Sequence, residues 1–336
     1  MAEEEDSSRM PNLTRTFMRI SSQLKVTEVS GCSAGLHLFC LRAAGALSGF
    51  FHNRGMQRMT WALAPLFDSQ NAAVLELPSG GKLQVYLNDG YWSRLFINGF
   101  NYEPEIGFVL KRVLTQPDTY FLDCGANIGY WSVIASRLLP PGRVVALEAS
   151  LPQFERLRRN AQLNEGSFET ILGAIWSRDG DILVIVTHDR RHAGASVVNR
   201  REKAGQAGYH EYGVESVTID SVCDRHIPNP DARIVIKLDV EDAEIQALQG
   251  ARGVLSSREV VVLYEDHGQD PSCHISEFLF RNFEFDIFYC DEQNTFTRMN
   301  SDAGVRNVKK SAFIGYNFCA CSRNSVFSRI LADHSR

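Results

Sequence analysis

The stretch FLDCGANIGYWS, Phe121–Ser132, decides how this chain is read. Apolar residues lead to an acid, Asp123, then to Gly125 and Gly129, then to residues that read as the start of a helix. A strand that ends in a glycine loop and turns into a helix lets backbone approach a nucleotide-like cofactor, because glycine has no Cβ to hold it off. Around this stretch, YFLD, RVVALE, ETILGAIW, RIVIKLD and EVVVLYED are short runs rich in Val, Ile and Leu. Most are separated by the helical stretches YWSVIASRLL, PQFERLRRNAQL and EIQALQGARGVL. The alternation predicts a mostly parallel α/β sheet covered on both faces. Such a sheet binds its ligand at the carboxyl ends of the strands, so the residues just after each strand are the candidate site.

Towards the N-terminus, LPSGGKLQVYLND predicts a hairpin, and NYEPEIGFVLKRVL carries Ile106, Val109, Leu110, Val113 and Leu114 at helix spacing. Residues 1–80 read as an extension with a disordered polar start followed by helix; residues 81–336 read as the α/β domain. An insertion spans about 177–231 and holds DGDILVIVT and the polar loop HDRRHAGAS. The long apolar stretch Gly31–Phe51 carries His37 and Arg42 in its middle. A charge at a bilayer centre costs at least ~2.5 kcal/mol, so a buried or interface-lying helix is expected rather than a span. Peripheral membrane contact and oligomerisation stay open, and the first seventy residues are expected to be removable without loss of cofactor binding.

The 336 residues carry 35 Lys and Arg against 40 Asp and Glu, a net charge of −5, which disfavours broad electrostatic binding of nucleic acid. The eight cysteines include no C-x-x-C pair, so reduced buried thiols and a cytoplasmic location are expected. The acidic start MAEEEDSSRM has the wrong sign for a secretory or transit peptide.

Two cofactors compete for the glycine loop. A dinucleotide fold needs G-x-G-x-x-G, but Asn127 stands at its second glycine and Asp123 would repel a pyrophosphate. S-adenosylmethionine has no phosphate and carries a positive sulfonium and ammonium, which an acid attracts. Glu148 ends the second strand, 25 positions after Asp123, where a carboxylate accepts hydrogen bonds from ribose hydroxyls.

The stretches YEPE (Tyr102–Glu105), LDCGANIGYWS, VVALEAS, IKLDVEDAEIQALQGA (Ile236–Ala251) and VVVLYEDHG stand in the order of a known family. Over about residues 85–290 the chain resembles the FkbM-type S-adenosylmethionine-dependent methyltransferases. The resemblance implies a class I methyltransferase fold, a Rossmann-like, mostly parallel seven-stranded sheet with its last strand antiparallel. It implies methyl transfer, usually to a hydroxyl oxygen, on a glycan, lipid or small metabolite. It also implies cofactor contacts from Glu103, Asp123, Gly125, Ala126, Asn127, Gly129, Glu148, Ala149, Ala174 and Asp239. Two departures stand out. Val240-Glu241-Asp242 replaces the family's usual V-E-G, adding bulk and charge beside the site; Glu148-Ala149-Ser150 replaces Glu-Pro.

Methyl transfer to oxygen is a direct displacement that needs alignment and a place for a proton. Asp239, at the end of the fourth strand, is expected to act as base, to position the acceptor or to touch the cofactor. Lys237 shares its strand face. It is either part of the site or a lysine paired with an acid. Glu241, Asp242 and Glu244 fall where acids favour a helix N-terminus. Glu265, Asp266 and His267 follow the fifth strand, and His267 is a candidate proton acceptor near neutral pH. Asp239, Lys237 and His267 are thus the catalytic candidates. His188, Arg190, Arg191 and His192, before Gly194 and Ser196, form either a loop near the substrate or an exposed turn. The acids lack metal-site spacing and Lys237 would repel a cation, so transfer without a metal is expected. Two other readings remain: a NAD-dependent oxidoreductase, opposed by Asp123 and Asn127, and a non-catalytic methyltransferase-like binding module, opposed by the joint presence of Asp123, Glu148 and Asp239.

Overall fold

The computed structural model describes residues 24–49, 56–96, 101–188, 209–291, 294–311 and 315–333. The acidic start and residues 189–196, with their arginines, lie outside these. The chain opens with β1 (Lys25–Ser30), α1 (Ala34–Gly49), α2 (Met56–Leu63), the hairpin β2 (Ala72–Glu76) and β3 (Lys82–Tyr86), and α3 (Pro104–Val113). Alternation starts at β4 (Thr119–Cys124), α4 (Tyr130–Ala135), β5 (Val144–Glu148), α5 (Leu151–Leu163) and β6 (Glu169–Leu172). The insertion follows as β7 (Ala174–Ile175), β8 (Ile182–His188), β9 (Tyr209–Val217) and α6 (Ile219–His226). Then come β10 (Arg233–Leu238), α7 (Glu244–Gln249), α8 (Arg252–Ser257), β11 (Val260–His267) and α9 (His274–Asn282). The chain ends in β12 (Phe285–Cys290), β13 (Phe296–Met299), α10 (Asp302–Val308), β14 (Gly315–Ser322) and α11 (Val326–Ala332).

The central sheet has the order β13-β12-β14-β11-β10-β4-β5-β6, with β6, β5, β4, β10 and β11 parallel and β14 antiparallel between β11 and β12. This is the class I methyltransferase arrangement, extended by β13 as an eighth strand on β12. Because β4, β10 and β11 are covered on both faces, they carry unbroken apolar runs: Tyr-Phe-Leu in β4, Ile-Val-Ile in β10 and Val-Val-Val-Leu-Tyr in β11. Alternate residues feed two cores: Phe121, Val235 and Val261 into one, Leu122, Ile234 and Val262 into the other. From β4 the chain runs outward to β5 and β6, then returns to β10 on β4's other side. That reversal opens a crevice at the carboxyl ends of β4 and β10.

Two stretches divide where the sequence reads as continuous. ETILGAIW breaks at Gly173, where the chain leaves β5 to pair with β9. EIQALQGARGVL breaks at Gly250 into α7 and α8, and Gly250 packs so close to Trp176 that a Cβ there would lie 2.1 Å from its carbonyl oxygen.

The N-terminal elements are not peripheral. β1, which the sequence does not announce, pairs with β2, and Leu38, Leu41 and Ala44 of α1 enter the core that holds Trp92 and Phe121. The other face of α1 leaves Leu36 61% and Phe39 68% exposed. Among the described residues no helix is long and apolar enough to cross a membrane. All eight cysteines are free thiols, six of them buried.

Candidate active site

A cavity of about 290 Å³ opens at the carboxyl ends of β4, β5 and β10. Its floor is the glycine loop after β4. Gly125 has φ +81°, and a Cβ on it would lie 1.7 Å from the Asp239 carbonyl oxygen, so only glycine lets the β4 and β10 loops meet. Gly125 N and Ala126 N both donate to Leu147 O, at 3.0 and 2.8 Å, which fixes the loop against β5. Asn127 also has a left-handed backbone, φ 52°.

Glu148 closes one end of the cavity. Its Oε2 accepts from Asn127 N at 2.8 Å and its Oε1 from Ser150 N at 2.7 Å. Burial pushes its carboxyl up to about 7, against the pull of these two donors. Ala149, Ala174, Ile175 and Ile185 supply apolar wall beside it.

The other end is a charge cluster. Lys237 is buried, 6% exposed, and its Nζ donates to Asp239 Oδ2 at 2.9 Å. Burial alone would lower the lysine, but Asp239, Asp123 and Glu103 more than offset it and hold the ammonium above its ordinary value. Glu103 lines the cavity with φ 41°, and Trp131 Nε1 donates to its Oε2 at 3.0 Å. Withdrawal from water, reinforced by Asp239 and opposed by Lys237, pushes its carboxyl up to about 7.

Not every sequence candidate reaches the cavity. Asp123 is 1% exposed and lies behind the loop, accepting from Ser132 Oγ at 2.5 Å. Burial raises its carboxyl, and Lys237 and Ser132 oppose that. It is absent from the cavity lining. Gly129 is also absent from the lining; at φ +88° it starts α4, and a Cβ would press on Leu157. His267 faces Glu265 at 3.4 Å and stays outside the cavity lining. The hydrogen bond to Glu265 lifts the imidazole to about 9, against the pull of burial. Asp266 turns away into a buried pair with Lys309 and accepts from Ser276 Oγ at 2.8 Å. Asp242 does not line the cavity, but its φ of 73° is the left-handed backbone that suits a glycine. His188 ends β8, and its loop lies outside the described residues.

Sequence reading missed the aromatic wall. The tetrapeptide Gly-Tyr-Trp-Ser occurs twice, at 90–93 and 129–132, and the fold sets the copies side by side. Trp92 stacks on Tyr130, with ring centroids 5.9 Å apart. Tyr102 packs between them, 5.1 Å from each ring. Each tryptophan also holds a site residue: Trp131 donates to Glu103, and Trp92 Nε1 donates to Asn127 Oδ1 at 3.0 Å. The repeated tetrapeptide was the available signal.

The model of the methyltransferase FkbM domain matches residues 123–287. No curated protein matches the chain. Among solved structures, it is similar to methyltransferase FkbM from Methylobacillus flagellatus KT, at 13% identity over 60% of this chain and 43% of that one (TM-score 0.36). It is similar to precorrin-6y C5,15-methyltransferase from Geobacter metallireducens GS-15, at 14% identity over 64% and 86% (TM-score 0.34). It is also similar to SMU.1697c from Streptococcus mutans in complex with SAH, at 10% identity over 66% and 98% (TM-score 0.38). The domain match covers the glycine loop, Glu148 and the Lys237–Asp239 strand end, so residues 123–287 are those of a methyltransferase FkbM domain, whose methyl donor is S-adenosylmethionine.

Proposed function

We propose that this chain methylates a hydroxyl oxygen of a glycan, lipid or small metabolite. The observation that carries the reading is the charge of the cavity. Glu103, Glu148, Asp239, Glu241 and Glu265 line it, and Lys237, the one cation among the described lining residues, is taken up by Asp239. A phosphate-bearing acceptor would meet carboxylates at every turn. A neutral hydroxyl instead donates hydrogen bonds to them, and the aromatic wall offers flat apolar area to a sugar ring or lipid headgroup.

The lining also fits the donor. S-adenosylmethionine brings an electrophilic methyl group on a positively charged sulfur. Glu148 would accept from the ribose hydroxyls, with Ala149, Ala174 and Ile175 against the base. The backbone at Gly125, Ala126 and Asn127 would face the amino-acid end, and the carboxylates offset the positive charge. Asp239, fixed by Lys237, would take the hydrogen bond of the acceptor hydroxyl and hold its oxygen in line. The eight free thiols support a cytoplasmic setting.

The test is to incubate the protein with methyl-labelled S-adenosylmethionine and separated glycan, lipid, small-metabolite, RNA and protein fractions. The expected result is label in one of the first three as an alkali-stable methyl ether. Label in RNA or on protein amines, or none at all, overturns the reading.

A further inference from the structure

We propose that Glu103 is the catalytic base that takes the proton of the acceptor hydroxyl, with Asp239 left in its ion pair to orient that hydroxyl. The proposal rests on the hydroxyl-methylating reading above and assigns the proton within it. The acceptor O–H bond breaks and its proton passes to the Glu103 carboxylate. The freed oxygen pair forms the new bond to the methyl carbon, and the carbon–sulfur pair stays on sulfur, leaving S-adenosylhomocysteine.

The other lining carboxylates are committed elsewhere. Glu148 spends both oxygens on backbone N–H groups. Asp239 is paired with Lys237 at 2.9 Å, and Glu265 with His267 at 3.4 Å. Glu241 sits half-exposed on the loop beyond Asp239. Glu103 has one hydrogen-bond donor among the described residues, Trp131, on Oε2. Its backbone is left-handed, φ 41°, immediately before Pro104 at the start of α3. A non-glycine residue held that way ahead of a proline is unfavourable and persists only where its surroundings impose it. Here that conformation sets the carboxyl on the cavity wall, against the ends of β10 and β11.

The charges facing Glu103 agree with this role. Lys237 and Asp239 approach from the end of β10 and Glu265 from β11. Tyr91, Tyr102 and Tyr130 face it from the aromatic wall. Burial raises all three phenols, Tyr91 to about 12, so they stay protonated and do not compete as bases. Glu103 itself, pushed up to about 7, changes charge where a base at neutral pH is most useful. Two carboxylates with separate environments thus divide the labour, one fixed by a cation and one exchanging a proton.

The experiment compares the parent with Glu103→Gln and Glu103→Asp. It follows label transfer to the fraction that the parent methylates, S-adenosylmethionine binding by calorimetry, and carboxyl titration of the ligand-free protein by infrared difference spectra. Expected for Glu103→Gln is a transfer rate at saturating cofactor down by about a hundredfold or more. The carboxyl signal titrating near neutral pH should lose the share of Glu103 and keep those of Glu148 and Glu244. The parent's rate should rise with pH through about 7, and the variant should lack that limb. Glu103→Asp should recover part of the rate and of the limb. A Glu103→Gln protein that transfers at the parent's rate at saturating cofactor, or that keeps the parent's pH limb, overturns the proposal. A parent that labels no hydroxyl fraction instead overturns the function itself, and the role of Glu103 with it.

Discussion

The two oxygens of Glu148 show how much one side chain decides. They hold Asn127 N and Ser150 N, so the same carboxylate shapes the loop and faces the cavity. Glu148→Gln puts an amide NH₂ against one of those N–H groups whichever way it lies. A buried donor left without an acceptor costs about 1–3 kcal/mol. Affinity for S-adenosylmethionine is therefore expected to fall roughly tenfold or more, measured by calorimetry on the folded variant. Unchanged affinity would remove Glu148 from the cofactor site. Asp123 shows the converse. The sequence marks it as a contact because it precedes the loop, but the fold turns it inward to Ser132.

At the scale of elements, α5 does what a strand would do for β3. Asn160 and Asn164 lie one turn apart and both are buried. Asn164 accepts from Lys82 N at 2.9 Å and donates to Lys82 O at 2.7 Å. Asn160 accepts from Gln84 N at 2.7 Å and donates to Gln84 O at 3.3 Å and to Ile128 O at 2.8 Å, inside the glycine loop. The pair thus satisfies the free edge of β3 and ties the N-terminal hairpin to the cofactor loop. Asn160→Ala strands three backbone groups and is expected to destabilise by about 3 kcal/mol. It should also weaken cofactor binding, whereas Asn164→Ala should destabilise without that effect. Urea unfolding with parallel calorimetry checks both. A helix reading of PQFERLRRNAQL gives the element but not this function, since the two asparagines acquire partners only when β3 packs across them.

Over the whole molecule, buried acids set the response to pH. Glu148 and Glu244 are each pushed from 4.5 to about 7, burial being the first cause in both. The folded state thus binds these protons more tightly than the unfolded one. The associated stability is complete below about pH 4.5 and is lost as pH rises through about 7. The full shift corresponds to at most about 3 kcal/mol per group. Glu244→Gln keeps an oxygen that can accept from Val240 N, now at 3.2 Å, and removes the charge. It is expected to match the parent near pH 4.5 and to exceed it by about 1–3 kcal/mol near pH 8, read from urea unfolding at the two pH values. A constant difference between the proteins would contradict the assignment. The reach of the core belongs to this scale too. Leu38 and Leu41 lie in the same core as Trp92, a cavity-lining residue, so the N-terminal elements support the site that the sequence alone reads as independent of them.

The order of apolar runs, the glycine loop and the acids after β5 and β10 were legible in the sequence. All are local: strand and helix periods repeat within a few residues, and a strand's end marks where a ligand meets a parallel sheet. Lys237 and Asp239, two apart on one strand, could be read together for the same reason. The sequence could not show that Asp123 faces inward, that His267 pairs with Glu265 outside the cavity lining, or that the start of α3 brings Glu103 to the cavity beside Lys237. Nor could it show that the two Gly-Tyr-Trp-Ser copies meet as one wall. Those facts depend on what covers each group, because burial and neighbouring charge set a side chain's protonation and partners, and both exist only once distant segments have packed.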